Sequence, residues 1–443
     1  MDRLWIEGGA RLSGRVRVSG SKNAAIPILA ATLLADGPCT IRNVPRLRDI
    51  ETMLRILTAL GVEVRWSSDG TVVTEVTDPT TVTAHYDLVS TMRGSVCVLG
   101  PILARRGRAK VSLPGGCVLG VRPIDLHLKG LKALGADIDV RHGYVEAEAD
   151  RLTGRDVYLG GSFGSTVLGT CNVMMAAALA EGSTIIECAA CEPEVEDLGA
   201  FLCAMGAKIK GAGTPRIFVE GVPRLRGAEH DVIPDRIEAG TYLIGGAMTE
   251  GDVTVEGVVP HHLAGPLDKL HEIGARVERG EDWIRVRMEG RPRPVDITTL
   301  PHPGFPTDLQ AQFLALLNLT DGISIITEKV YPDRFMHVSE LNRMGARIRK
   351  EGPIAIVQGV PELSGAEVMA SDLRASAGLI LAGLRATGNT IVNRIYHLDR
   401  GYERIDEKLA DLGAVVRRER VENLTKTASG DKPAGFVSEP LSV

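Results

Sequence analysis

A short signature recurs along the whole chain: Leu60-Gly61-Val62, Leu134-Gly135-Ala136, Met205-Gly206-Ala207, Ile273-Gly274-Ala275, Met344-Gly345-Ala346 and Leu412-Gly413-Ala414. The glycines lie 74, 71, 68, 71 and 68 residues apart, so the 443-residue chain is laid out as six units of similar length. An amphipathic segment precedes each glycine, as in Glu196–Met205 and Arg404–Leu412, and an alternating segment follows it, as in Ala275–Arg279. That order reads as a helix, a glycine C-cap and a strand.

A second marker opens most units. Asp36-Gly37, Glu181-Gly182, Glu250-Gly251, Asp321-Gly322 and Thr387-Gly388 each stand before a β-rich run such as Ser183–Glu187, and Gly107 takes this place in the second unit. Ahead of these markers run segments rich in Ala, Gly and Leu: 24–35, 92–104, 173–180, 240–248, 309–319 and 376–384. They are apolar nearly all round, which predicts buried helices whose small residues allow close packing. Each unit then holds two helices and several strands, giving an α/β fold. A chain of this length is too long for one simple core, so two domains of three units are expected, related by pseudo-symmetry. A solenoid is the rival architecture, although its repeats are usually shorter.

The starts of the apolar helices are chemically unlike their bodies. They carry Lys22-Asn23, Thr91-Met92-Arg93, Ser165-Thr166, Glu238–Thr241, Thr307-Asp308 and Asp372-Leu373-Arg374. Plain N-capping accounts for Asn23, Ser165 and Thr307. It does not account for Lys22, Arg93 or Arg374, because a cation at a helix N-terminus opposes the dipole. An anion held between dipole and cation would resolve the conflict.

Lys and Arg number 51 against 56 Asp and Glu, a formal charge of −5, which argues against a general nucleic-acid binder. The apolar stretch 24–35 is too short to span a bilayer, and the first residues lack a signal-peptide pattern. Seven scattered cysteines make no disulfide framework, which fits a reducing, cytoplasmic setting; Cys188 and Cys191 form a lone C-x-x-C that reads as structural. Neither the phosphate loop of nucleotide hydrolases nor the dinucleotide-binding glycine pattern occurs, so neither nucleotide hydrolysis nor dinucleotide redox chemistry is signalled.

Three segments carry local signs of function. Leu113–His127 sets glycines 115, 116 and 120 around Cys117, with Arg122 five residues on, a flexible loop in which the thiol is as readily structural as reactive. Tyr331–His337 and Asp399–Arg404 each bring an arginine to a loop–helix junction. A single such arginine reads as surface pairing, but several suit a ligand bearing carboxylate and phosphate, which guanidinium grips in pairs of hydrogen bonds.

Taken together, Ser19–Ala25, the Pro114–His127 loop, Pro234–Glu238, Phe305–Asp308, Asp333–His337 and Asp372–Ser376 resemble the UDP-N-acetylglucosamine 1-carboxyvinyltransferase family of enolpyruvyl transferases, from Met1 to about Arg418. The resemblance implies two inside-out α/β barrel domains of three repeats each, with the active site between them. It places the first domain at 22–233 and the second at 1–21 plus 234–420, and leaves 421–443 as a disordered tail. It implies phosphoenolpyruvate and UDP-N-acetylglucosamine as small-molecule substrates, with no cofactor, metal, nucleic acid or membrane partner. Lys22, Arg122 and Arg400 would hold phosphoenolpyruvate, Cys117 would protonate its methylene carbon, and Asp308 would take the proton from the sugar 3-hydroxyl. Asn23, Arg93, Arg122, Pro123, Ile124, Asp125, Leu126 and Val330 would line the nucleotide-sugar site. Arg334 and Arg374 would complete the basic lining, and Asp372 would steady it. Ser162 and Gly164 would meet the uridine, in a segment reading Ser162-Phe163-Gly164-Ser165-Thr166 where the family commonly has Ser-Val-Gly-Ala-Thr. Two rivals stand beside this reading: the sister family acting on shikimate 3-phosphate, for which no Pro-Gly-Gly-Cys loop is expected, and a UDP-sugar-binding paralogue without catalysis.

Overall fold

A computed structural model describes residues 2–115 and 124–420. It holds six four-stranded sheets of one topology. In each, a parallel pair is followed by two antiparallel neighbours. The third sheet shows the plan: Asp156–Tyr158 runs parallel to Ser183–Glu187, which pairs antiparallel with Arg216–Glu220, which pairs antiparallel with Lys208–Lys210. The strand Ser183–Glu187 has the bounds its alternating sequence predicts, with Thr184 and Ile186 buried.

The six expected C-cap glycines all adopt the left-handed conformation, with φ from 81° at Gly61 to 106° at Gly206. A side chain there would clash with its own backbone, which is why glycine recurs at that position. In the fourth unit's opening marker the positive φ falls on Glu250 (52°) and not on Gly251.

The apolar segments are helices, and they take in the polar starts that stand ahead of the apolar runs. Helices Lys22–Ala31, Val167–Ala177, Arg236–Met248 and Leu373–Arg385 begin earlier, while the second unit opens with a 3-10 turn, Arg93–Val98, before Leu99–Arg106. The caps are displaced too. Ser21 and Thr166, not Asn23 and Ser165, accept from the free amides of Ala24 and Gly169. Thr307 caps nothing; its hydroxyl donates to Glu328. Asp235 and Asp372 are the acidic caps, each accepting from two backbone amides.

Two hydrophobic cores result. One draws on residues from Ala24 to Val232, the other on Leu4 to Val18 together with Ile237 to Ala414. Each buries three of the apolar helices, so the units close into two bodies and not a solenoid. The chain passes between cores twice. Ser13–Arg17 leads toward helix Lys22–Ala31 yet pairs with Asp252–Glu256, and Glu229–Asp231 leads toward helix Arg236–Met248 yet pairs with Cys39–Arg42. The two crossing segments meet at an antiparallel bridge between Gly20 and Pro234. The first strand, Asp2–Glu7, fills the third place of the last sheet between Asn389–Asn393 and Val416–Arg420.

Candidate active site

A cleft of about 800 Å³ is lined by residues of both cores. The first core lends Lys22, Asn23, Asp49, Arg93, Asp125, Leu126 and the stretch 161–168; the second lends Asp308, Val330, Tyr331 and Arg400. The helix starts are what bring these groups together. Lys22 is the first residue of its helix, and its side chain is only 11% exposed. Its Nζ donates to Asp49 Oδ2 at 3.4 Å. Burial lowers the Lys22 ammonium from its usual range; Asp49 and Asp308 oppose this, while Arg374 and Arg400 add to it.

Asp308 sits inside the 3-10 turn Thr307–Leu309, just before helix Gln310–Leu317, and its carboxylate caps neither. Instead Oδ1 accepts from Arg334 Nη1 at 2.7 Å and Oδ2 from Arg374 Nη2 at 3.0 Å. Burial alone would raise this carboxyl, but Arg374 and Arg334 outweigh it and hold Asp308 well below the ordinary carboxylate range. Its side chain is 24% exposed, toward the cleft.

Arg374 lies 1% exposed, its guanidinium 5.3 Å above the Tyr402 ring. The Tyr402 hydroxyl is bound in turn to Thr241 Oγ1 at 2.8 Å and accepts from Gln312 Nε2 at 3.0 Å. Arg334 also donates to Thr307 Oγ1 at 3.1 Å. Glu328, 1% exposed, takes the hydroxyls of Thr299 and Thr307 and the amides of Val330 and Tyr331, so it fixes the loop that presents Val330.

The structure thus brings Lys22, Asn23, Arg93, Asp125, Leu126, Ser162, Gly164, Asp308, Val330 and Arg400 to one cleft. Four of the expected residues do not line the cleft. Arg334 and Arg374 are buried and spent on the Asp308 carboxylate, and Asp372 is buried and caps helix Leu373–Arg385. Ile124 is buried at the start of helix Asp125–Ala133 and is not part of the lining. Cys117, Arg122 and Pro123 lie outside the described residues.

The dipole conflict at Lys22 and Arg374 is met from within the chain. Asp49 answers the first cation and Asp308 the second. Sequence reasoning missed Asp49, Glu328 and the acid pair Glu192 and Glu194. Glu194 holds Arg236 through two hydrogen bonds of 3.0 and 3.1 Å, and Glu192 accepts from the amide of His302 at 3.3 Å. Their one sequence signal was the acidic start of an amphipathic helix, which the dipole explains equally well.

Among the described residues no helix is long and apolar enough to cross a membrane, and no group of three or more His, Cys, Asp or Glu could hold a metal ion.

Residues 6–409 match the family of EPSP synthase (3-phosphoshikimate 1-carboxyvinyltransferase). The chain is 58% identical over 424 residues to the UDP-N-acetylglucosamine 1-carboxyvinyltransferase of Anaeromyxobacter dehalogenans (strain 2CP-C), covering 95% of this chain and 100% of that protein. The enzyme so named in Coxiella burnetii (strain RSA 493 / Nine Mile phase I) is 54% identical over 94% of this chain and 96% of its own. Among solved structures, the enolpyruvyl transferase NikO from Streptomyces tendae superposes with a TM-score of 0.85 at 28% identity, over 94% of this chain and 98% of that one. EPSP synthase from Acinetobacter baumannii shares the fold, with a TM-score of 0.73 at 20% identity over 95% of this chain and 100% of its own. The chain belongs to the EPSP synthase family of enolpyruvyl transferases, and within it to the UDP-N-acetylglucosamine 1-carboxyvinyltransferases.

Proposed function

We propose that this protein transfers the enolpyruvyl group of phosphoenolpyruvate to the 3-hydroxyl of UDP-N-acetylglucosamine and releases phosphate, the first committed step of peptidoglycan precursor synthesis, in the cytoplasm. The observation that carries the reading is the arrangement in the cleft: cations from both cores, Lys22 and Arg400, face the same space as an ionised carboxylate, Asp308. Addition across an enol ether needs a proton donor for carbon, a proton acceptor for the attacking hydroxyl, and cations to offset the charge of a phosphorylated acid.

Lys22, Arg122 and Arg400 bind the phosphate and carboxylate. Cys117 gives its proton to the methylene carbon, and the neighbouring carbon becomes the electrophile. The sugar 3-oxygen attacks it while Asp308 accepts the hydroxyl proton. A carboxylate clamped by two guanidinium groups is a weak base, but the hydroxyl becomes strongly acidic as its oxygen bonds to carbon, so a weak, well-placed base suffices. The ketal then loses phosphate and a proton from the former methylene carbon. Asn23, Arg93, Asp125, Leu126, Ser162, Gly164 and Val330 orient the nucleotide sugar. The two cores are read as domains 22–233 and 1–21 plus 234–420, with the cleft between them.

Phosphate release from phosphoenolpyruvate, measured with UDP-N-acetylglucosamine, with shikimate 3-phosphate and with no acceptor, separates the readings. Release with the nucleotide sugar alone is expected. Release with shikimate 3-phosphate instead moves the protein to the sister reaction, and binding of UDP-N-acetylglucosamine without release leaves a non-catalytic binder.

A further inference from the structure

Asp49 occupies the first turn of helix Arg48–Ala59 and is 5% exposed. Its two oxygens are shared between cations from the two cores. Oδ1 accepts from Arg400 Nε at 2.8 Å, and Oδ2 from Lys22 Nζ at 3.4 Å and Arg400 Nη2 at 3.5 Å. The same short stretch meets the second core twice more: Arg46 donates its amide to Glu403 Oε1 at 2.9 Å, and Arg48 Nη2 lies 3.8 Å from Asp399. The carboxylate is therefore anchored on both sides of the cleft, between two of the three cations to which the proposed function gives phosphoenolpyruvate.

We propose that Asp49 is a positioning residue of the anion site, whose carboxylate holds Lys22 and Arg400 together so that both are placed and charged when phosphoenolpyruvate arrives. The inference rests on the proposed function and adds to it a residue that touches neither reacting carbon. Its physical content is charge balance at Lys22. Burial disfavours the ammonium, and the cations Arg374 and Arg400 face it as well; against these stand the carboxylates Asp49, the stronger of the two, and Asp308. Asp308 is already committed to two guanidinium groups. Asp49 is thus the carboxylate in direct contact with the Lys22 ammonium, and its loss would let the proton leave at lower pH. A neutral lysine offers no charge to a phosphate, so binding would fail with it.

The test is equilibrium binding of phosphoenolpyruvate by calorimetry across pH, read as binding so that the Cys117 proton does not enter. In the wild type, affinity should fall on the alkaline side as Lys22 loses its proton. In Asp49→Asn this limb should move acidward by about one unit or more, the usual effect of one close opposite charge. Asp49→Glu should restore it toward the wild-type position. Lys22→Arg combined with Asp49→Asn should show no such limb, since guanidinium keeps its proton. Asp49→Ser, the smaller neutral replacement, carries the measurement if the asparagine variant does not fold. An unmoved limb in a folded neutral variant, with binding still dependent on Lys22, overturns the role of Asp49 alone. Binding in Lys22→Ala equal to the wild type overturns the anion site itself and this inference with it.

Discussion

Asp308 shows how a single residue can satisfy two readings in sequence and only one in space. Placed before an apolar helix it looks like a cap, and Asp308→Asn would then be silent because asparagine caps as well. In the structure its oxygens face Arg334 and Arg374. Asp308→Asn is expected to keep the fold and lose roughly 10²–10⁴-fold in turnover, the usual contribution of a positioned acid or base; near-normal turnover in the purified variant would remove the base from the mechanism. The electrostatics add a sign. A carboxyl held below its unfolded value of about 4 contributes stability above that value, lost as pH falls through the native one. The same depression keeps the base ionised in acid. Arg374→Gln removes one of the cations, with Arg334 and Lys22, that lower the Asp308 carboxyl, so the Asp308 pKa rises and the acid limb of kcat/KM moves to higher pH. A pH–rate profile with its acid limb unmoved contradicts the pairing. Cys117 is approached through its chemistry: fosfomycin, an epoxide resembling phosphoenolpyruvate, is expected to alkylate it, and mass spectrometry of treated protein locates the adduct. A label on Cys191 with loss of activity would displace Cys117 from its role.

At the scale of the element, the glycine after each amphipathic helix is a backbone requirement, to which packing adds at Gly61. Gly206 has φ 106° and nothing within 4 Å of where a Cβ would stand, whereas a Cβ at Gly61 would lie 2.2 Å from the Asp78 carbonyl oxygen. Gly206→Ala is therefore expected to cost about 1 kcal/mol through conformation alone. Gly61→Ala is expected to cost more, since the neighbouring backbone must also move. Denaturant midpoints of the two variants measure this, and equal losses would refute the distinction. The caps teach a related lesson. Asn23 and Ser165 are good cap residues by type, yet Ser21 and Thr166 hold the position. Composition places a helix start within a residue or two, and the turn geometry chooses among neighbours that are all able to cap.

Across the whole molecule, acidic side chains join the cores. Asp49 holds Arg400, Glu403 accepts from the Arg46 amide, and Glu192 accepts from the His302 amide. Asp49 already joins Lys22 of one core to Arg400 of the other, and a ligand carrying phosphates adds further negative charge between cations of the two cores, so UDP-N-acetylglucosamine is expected to narrow the cleft. Small-angle scattering with and without the nucleotide sugar should show a smaller radius of gyration in its presence. An unchanged value counts against ligand-driven closure.

The sixfold repeat was legible in the sequence because it rests on local physics: a helix needs a stop, a left-handed stop needs glycine, and a strand alternates. The same holds for the apolar helices and for the strand Ser183–Glu187, whose bounds follow from neighbours in the chain. What the residues beside a position could not reveal is which distant group answers it. That Ser13–Arg17 joins a sheet with Asp252–Glu256 depends on two chain crossings that leave no local periodicity. That Lys22 and Arg400 are both met by Asp49, or Asp308 by Arg334 and Arg374, depends on pairs up to 351 residues apart in sequence. Local sequence determined the units and the kinds of side chain at their helix starts. Only the closing of the units into two facing cores decided which of those charges neutralise one another and which are left to face a ligand, because electrostatic pairing depends on distance in space and on burial.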